Sequence, residues 1–96
     1  MKLLLPYNKK DLSLSKTFED AKNYVLYDSK YRYVSYDDRK IEDLDEFLTF
    51  LFNNGIDEII CNEIDPFTVA ILNDYQIKVN SGNKGNVDEL LDAYLR

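Results

Sequence analysis

Cys61 is the one thiol of the chain, and it ends a short apolar run, Glu58-Ile59-Ile60. A thiolate there could hold a soft metal or the iron of a cluster. One thiolate cannot complete a tetrahedral site without further ligands or a second chain. The other reading of Cys61 is a small apolar residue buried behind Ile59 and Ile60. Just beyond it, Asn62, Glu63 and Asp65 offer oxygen atoms to a hard cation. Their spacing matches no calcium loop, and they serve equally as a solvated turn and a helix cap. Ser81-Gly82-Asn83-Lys84-Gly85 offers a lysine and backbone N–H groups to a small anion. It lacks the glycine spacing and the Lys-Ser/Thr ending of a phosphate loop, so a capped turn is its alternative reading.

Absences narrow the chemistry further. The chain has no histidine, which removes His-based zinc sites, Ser-His-Asp triads and Cys-His pairs together. A two-metal nuclease needs clustered carboxylates, one of them on the first strand. The first apolar run, Lys2-Leu3-Leu4-Leu5, carries none, and Asp11 lies beyond it.

These residues must be positioned by elements that the periodicities mark. Lys2 to Pro6 reads as a short buried strand closed by proline. Tyr7 to Lys16 is polar and has no clear period, and Thr17 to Ala21 fits one helical turn. Tyr24–Tyr27 and Tyr31–Tyr36 are aromatic and β-branched, and Asp28-Ser29-Lys30 between them makes a hairpin. Alternation places Tyr31 and Tyr33 on one face of it, and Val34 and Tyr36 on the other. If the hairpin is a sheet edge, a dimer could form through it.

Leu44, Phe47, Leu48 and Leu51 share one face of a helix over Ile41–Asn53, with Phe50 widening that face and Phe52 off it. Asn54-Gly55 ends the helix, with glycine available for a left-handed cap. A strand follows over Asp57–Cys61. Asp65-Pro66 opens a second helix, an N-cap oxygen followed by proline, with Phe67, Ala70 and Ile71 on one face. Gln76 to Val79 is the next strand. Asn86 and Glu89 make a capping-box-like start to a last helix carrying Val87, Leu90, Leu91 and Tyr94. The order is β-β-β-α-β-α-β-α. Right-handed crossovers then give an α/β domain with a five-stranded mixed sheet and helices on its faces. The ligand crevice of such a sheet lies at the carboxyl ends of its parallel strands.

Ninety-six residues make a single domain over 1–96. The formal net charge of -6 repels phosphate backbones, which argues against nucleic acid and anionic membranes as partners. No apolar run approaches the ~20 residues needed to cross a bilayer. The lone cysteine excludes an internal disulfide and fits a reducing, cytoplasmic setting.

The order and spacing of several segments resemble the dinitrogenase iron-molybdenum cofactor biosynthesis family, whose fold is ribonuclease H-like. Met1 to Pro6 is similar to its opening strand. Phe18 and Tyr24 to Asp28 are similar to its phenylalanine turn and second strand. Asn54 to Asp57 matches its helix-to-strand passage, and Ile64-Asp65-Pro66 stands where the family tends to have Ile-Gly-Pro. Asp74 to Val79 corresponds to its Gly-Ile-containing strand, and Gly85 to Tyr94 to its closing helix. Four departures stand out. Thr17 replaces a histidine that many relatives carry, Glu19 and Asp65 replace glycines, and Tyr36-Asp37-Asp38-Arg39-Lys40 leads almost straight into the first long helix where the family has a small, glycine-rich connection.

The resemblance implies a non-enzymatic accessory protein that binds a metal-sulfur cofactor, an iron-sulfur or iron-molybdenum type cluster. It places the ligand region in three loops, Tyr7 to Ser15, Asn62 to Pro66 and Asn80 to Gly85. The expected cofactor-binding residues are Cys61, Asn62, Asp65, Ser81, Gly82 and Gly85, with Cys61 the only soft metal ligand. The departures point to the other outcome, a cargo-less protein-interaction module on the same scaffold. Either the cofactor or a protein is then the partner, and the chain is a monomer or a weak dimer.

Overall fold

Leu3, Leu4 and Leu5 are all almost fully buried, so the strand that carries them must be covered on both faces. The chain, seen in a computed structural model that describes residues 1–94, builds its sheet around that strand. The elements are β1 (Lys2–Asn8), β2 (Ser13–Leu14), β3 (Asn23–Asp28), β4 (Tyr33–Asp38), α1 (Leu44–Asn53), β5 (Glu58–Ile60), α2 (Pro66–Asp74), β6 (Lys78–Asn80) and α3 (Val87–Tyr94). The five main strands lie in the order β4-β3-β1-β5-β6, with β2 paired to the end of β1. β3 runs antiparallel to both β1 and β4, with β4 as its hairpin partner on one flank of the sheet; β1, β5 and β6 are parallel. This is the mixed α/β sheet expected from the sequence.

Alternation along β1 feeds two cores. Leu4 points to the face covered by α1 and α2, where it meets Phe47, Leu48, Leu51, Ile59 and Leu72. Leu3, Leu5 and Tyr7 point to the other face, under Val87 and Leu91 of α3.

Proline does not end the first strand. Ser29 N–H donates to the Met1 carbonyl, which turns the odd-numbered backbone groups of β1 towards β3 and the even-numbered ones away. Pro6 therefore has its missing N–H on the β5 side. Pairing with β5 stops at Leu4, so the absent donor falls where the two strands part. The Pro6 carbonyl there accepts the Ser15 N–H instead, at 3.0 Å.

Other expectations are corrected. Thr17–Ala21 holds one turn bond, Ala21 N–H to Phe18 C=O at 3.3 Å, but no helix; Thr17 itself makes a β-bridge to Glu63. The second hairpin strand begins at Tyr33, since Arg32 occupies the left-handed region with φ +53. α2 turns a different face inward: Thr68 and Leu72 are buried, while Phe67 is 84% exposed and Ala70 is exposed.

Both first helices end in the same way. Ile56 N–H bonds Leu51 C=O and Gly55 N–H bonds Phe52 C=O after α1; Ile77 and Gln76 repeat the pattern onto Leu72 and Asn73 after α2. These are Schellman closures, which need a left-handed residue just past the helix. Gly55 supplies it at φ +70, but after α2 the residue is Gln76 at φ +62, which the sequence had placed in a strand. Asn86 caps α3, its Oδ1 accepting the N–H groups of Asp88 and Glu89.

At the far end of α3 the Tyr94 hydroxyl donates to buried Glu58 at 2.7 Å. That bond, then burial, raises the Tyr94 pKa above its ordinary value of 10.0. The unfolded chain releases this proton first, so the contribution is complete below pH 10 and is lost as pH rises through the folded value.

Two outcomes follow from these contacts. Gln76→Gly stabilises the domain by about 1 kcal/mol by relieving the left-handed backbone, read as a higher urea midpoint. Tyr94→Phe costs about 1–3 kcal/mol near neutral pH by leaving a buried carboxylate oxygen unpaired. The same variant loses less stability than wild type when unfolding is repeated above pH 10.

Candidate functional site

β1, β5 and β6 end on the same side of the sheet, and the three expected loops meet there. Backbone bonds join them in series. Phe18 N–H bonds Glu63 C=O at 2.9 Å and Glu63 N–H bonds Lys16 C=O at 3.0 Å, tying the first loop to the second. Gly82 N–H bonds Asn62 C=O at 2.8 Å and Asn83 N–H bonds Cys61 C=O at 3.0 Å, tying the second to the third. Leu14 N–H bonds Gly85 C=O at 2.9 Å, and Val87 N–H bonds Leu12 C=O at 2.8 Å, closing the set. The Asn83 side-chain amide adds a bond of 2.9 Å to the Asn80 carbonyl.

Cys61 sits inside this seam with no exposed surface. Burial pushes its thiol up to about 11, and the Glu19 carboxylate adds to the shift. At neutral pH it is a protonated, enclosed thiol, and the thiolate is the form that binds metal. Asn62 is half-buried, while Ser81, Gly82 and Gly85 lie exposed on the adjoining turn. Gly82 and Gly85 have φ +78 and +116. A Cβ at either would meet nothing within 4 Å, so the turn conformation, not a close approach, explains glycine there.

Asp65 caps α2, its Oδ1 accepting the Phe67 N–H at 2.8 Å. The Glu19 carboxylate reaches across and accepts the Asp65 N–H at 3.0 Å. Two of the chain's own carboxylates thus stand at the positive end of α2, where an anion would otherwise be favoured. Among the described residues no three cysteine, aspartate or glutamate side chains converge as a metal-binding group. The donor set at the strand ends does not fit a thiolate-bound cluster.

Positive charge gathers next door. A groove of about 650 Å³ runs from the end of β1 past Thr17 to the start of β3, and Lys9, Lys10, Lys16 and Lys22 line it with Asp20, while Asp38 stands 4.0 Å from Lys9 at its rim. The sequence reading missed both Glu19 as a cap and these lysines as a set. Their spread over residues 9–22 conceals the grouping, which β1–β2 pairing and the bridge at Thr17 create.

Native Cys61 is therefore expected to resist thiol reagents at pH 8 and to react at the rate of unfolding. Labelling followed by mass spectrometry checks this, with the Cys61 adduct appearing in step with added urea. Fast labelling of the folded protein would contradict its enclosure.

The comparisons with known proteins agree with this architecture. The crystal structure of PH0822 matches with a TM-score of 0.88 at 18% identity, covering 99% of this chain and 88% of that one. The apo form of the orange protein from Desulfovibrio gigas matches at 0.79 and 16% identity, with 98% and 86% covered. A Thermotoga protein described as a NifB protein of the DUF35 family matches at 0.79 and 23% identity, again with 98% and 86% covered. At these identities the likeness is one of fold. No curated protein sequence matches the chain. The mixed sheet is consistent with a ribonuclease H-like fold, and the sequence profile of the family described as dinitrogenase iron-molybdenum cofactor matches residues 1–96, so the chain belongs to the dinitrogenase iron-molybdenum cofactor family.

Proposed function

We propose that this domain is a non-enzymatic accessory protein whose cargo is an anionic metal-sulfur cofactor, held by charge in the lysine groove and not by bonds from protein thiolate to metal. One observation supports the reading above the others. Four of the chain's 12 cationic side chains line a single groove on a chain of net charge -6, where they make a local positive field that attracts an anion. The family description names an iron-molybdenum cofactor, and such cargo meets ammonium groups here where the end of α2 would offer it carboxylates. In this reading Cys61, Asn62, Asp65, Ser81, Gly82 and Gly85 hold the seam that shapes the groove's inner wall. Thr17, at the histidine position of many relatives, lines the groove without a nitrogen ligand.

A second reading, a protein-interaction module without cargo, is favoured by Phe67. That ring is 84% exposed on the first turn of α2, at the same end of the sheet, and an exposed aromatic is a common anchor for a protein partner.

Anaerobic titration with tetrathiomolybdate, followed by native mass spectrometry, separates the two. The expected result is binding to wild type and to Cys61→Ala alike, weakening as salt rises. The combined variant Lys9→Gln, Lys16→Gln, Lys22→Gln should bind about tenfold more weakly or worse. Binding that disappears in Cys61→Ala and survives in the lysine variant would overturn the charge-held mode. No binding to any of the three, from protein purified in its own host, would move the assignment to the interaction module.

A further inference from the structure

β4 is the outermost strand of the sheet, and four of the large apolar side chains the domain leaves exposed are on it or at its start: Tyr31, Tyr33, Val34 and Tyr36. We propose that this edge pairs with the β4 edge of a second copy of the chain, antiparallel, about a two-fold axis through Ser35.

The backbone defines the available groups. Arg39 N–H bonds Lys22 C=O, which continues the β3–β4 register by one pair. Alternation then turns the backbone groups of Tyr33, Ser35 and Asp37 towards β3 and those of Val34, Tyr36 and Asp38 outward. An outward row of this kind is a template for another strand. Natural edges are blunted by proline, lysine or bulges; β4 reads Tyr-Val-Ser-Tyr-Asp-Asp and its pairing with β3 is unbroken. Its only guards are Asp37 and Asp38 at one end. They would face each other in a parallel pair, so they select the antiparallel one.

Register follows from symmetry. The two copies form one continuous sheet only if residues of the same face lie opposite each other, so the axis must pass through a residue. Through Ser35, Val34 of each copy faces Tyr36 of the other, an aromatic against a β-branched side chain on the same face, which is a favourable cross-strand pair. Their outward backbone groups bond each other directly. Tyr33 faces Asp37 on the opposite face, and just beyond the paired stretch Arg32 lies beside Asp38 of the other copy. No acid meets an acid. An axis through Tyr36 sets Val34 against Asp38 and Arg32 against Lys40. An axis through Val34 limits the overlap within β4 to Tyr33–Ser35, because Arg32 already leaves the strand at φ +53. An edge contact of this size is at the small end for specific interfaces, so the dimer is weak and reversible.

Sedimentation velocity of the wild-type domain from about 10 µM to about 1 mM should show a dimer rising with concentration, as a small interface requires. Ser35→Cys and Val34→Cys, oxidised in parallel, then test the axis. Ser35 faces its own copy as a non-hydrogen-bonded pair, with Cα atoms about 4.5 Å apart, inside disulfide range. Val34 and its copy are diagonal, about 7–8 Å apart. Ser35→Cys should therefore cross-link at least about ten times faster than Val34→Cys at equal concentration. Buried Cys61 does not compete. A monomer across the whole range, which is also the result expected if an extended segment of a different protein is the natural occupant, would overturn the proposal. So would equal cross-linking of the two variants.

Discussion

Everything in this domain is referred to β1. It is the one strand with parallel and antiparallel neighbours, β3 along one side and β5 followed by β2 along the other. It is buried on both faces, so its alternate side chains knit two otherwise separate cores together. A one-residue slip would send Leu4 into the α3 core and Leu3 and Leu5 under α1 and α2. Its register also decides where the crevice opens. Pro6 cannot donate, and it stands at the point where β5 no longer needs a donor. The strand therefore keeps β3 while letting β5 go, and the carbonyls released on that side are taken by the first loop.

The loops that gather at that opening use up much of their own hydrogen bonding on one another. This makes the crevice a sewn seam more than an open cleft. The geometry gives Glu19 and Asp65 a single effect. They satisfy N–H groups at the start of α2 and put negative charge there. Cys61 is on the inner side of the same seam, and its neutral thiol packs as a small apolar group among Phe18, Ile59 and Leu72. The charge suited to an anion is displaced sideways, onto lysines carried by the segments on either side of β2.

Much of the scaffold was legible because strong local signals agree with the tertiary result. Gly55, Asp65-Pro66 and Asn86 each mark a helix boundary through chemistry confined to a few residues, and each does so in the structure, whereas the sequence pattern starts the first helix at Ile41 and the structure starts it only at Leu44, capped by Asp43. Val87 and Leu91, at helical spacing, reach the core. Signals failed where the deciding partner is distant. Phe67 fits an apolar stripe by spacing, yet α2 buries Thr68 and Leu72 instead, and that rotation leaves the ring in water. Gln76 has strand-like neighbours, but closure of α2 claims it first. β2 is too short to announce itself and exists because β1 extends past proline to meet it.

The sequence by itself determined the class of the domain, the order of its elements, the excess negative charge and the absence of histidine chemistry, since these depend on composition and on periodicities of a few residues. Tertiary structure alone decided that Cys61 is sealed, that Glu19 reaches the start of α2, and that four lysines between residues 9 and 22 line one groove. Each of those facts joins atoms from segments far apart in the chain or turned by another element. Electrostatic and solvation energies depend on distance and burial in space, and no short-range pattern of residue types encodes either.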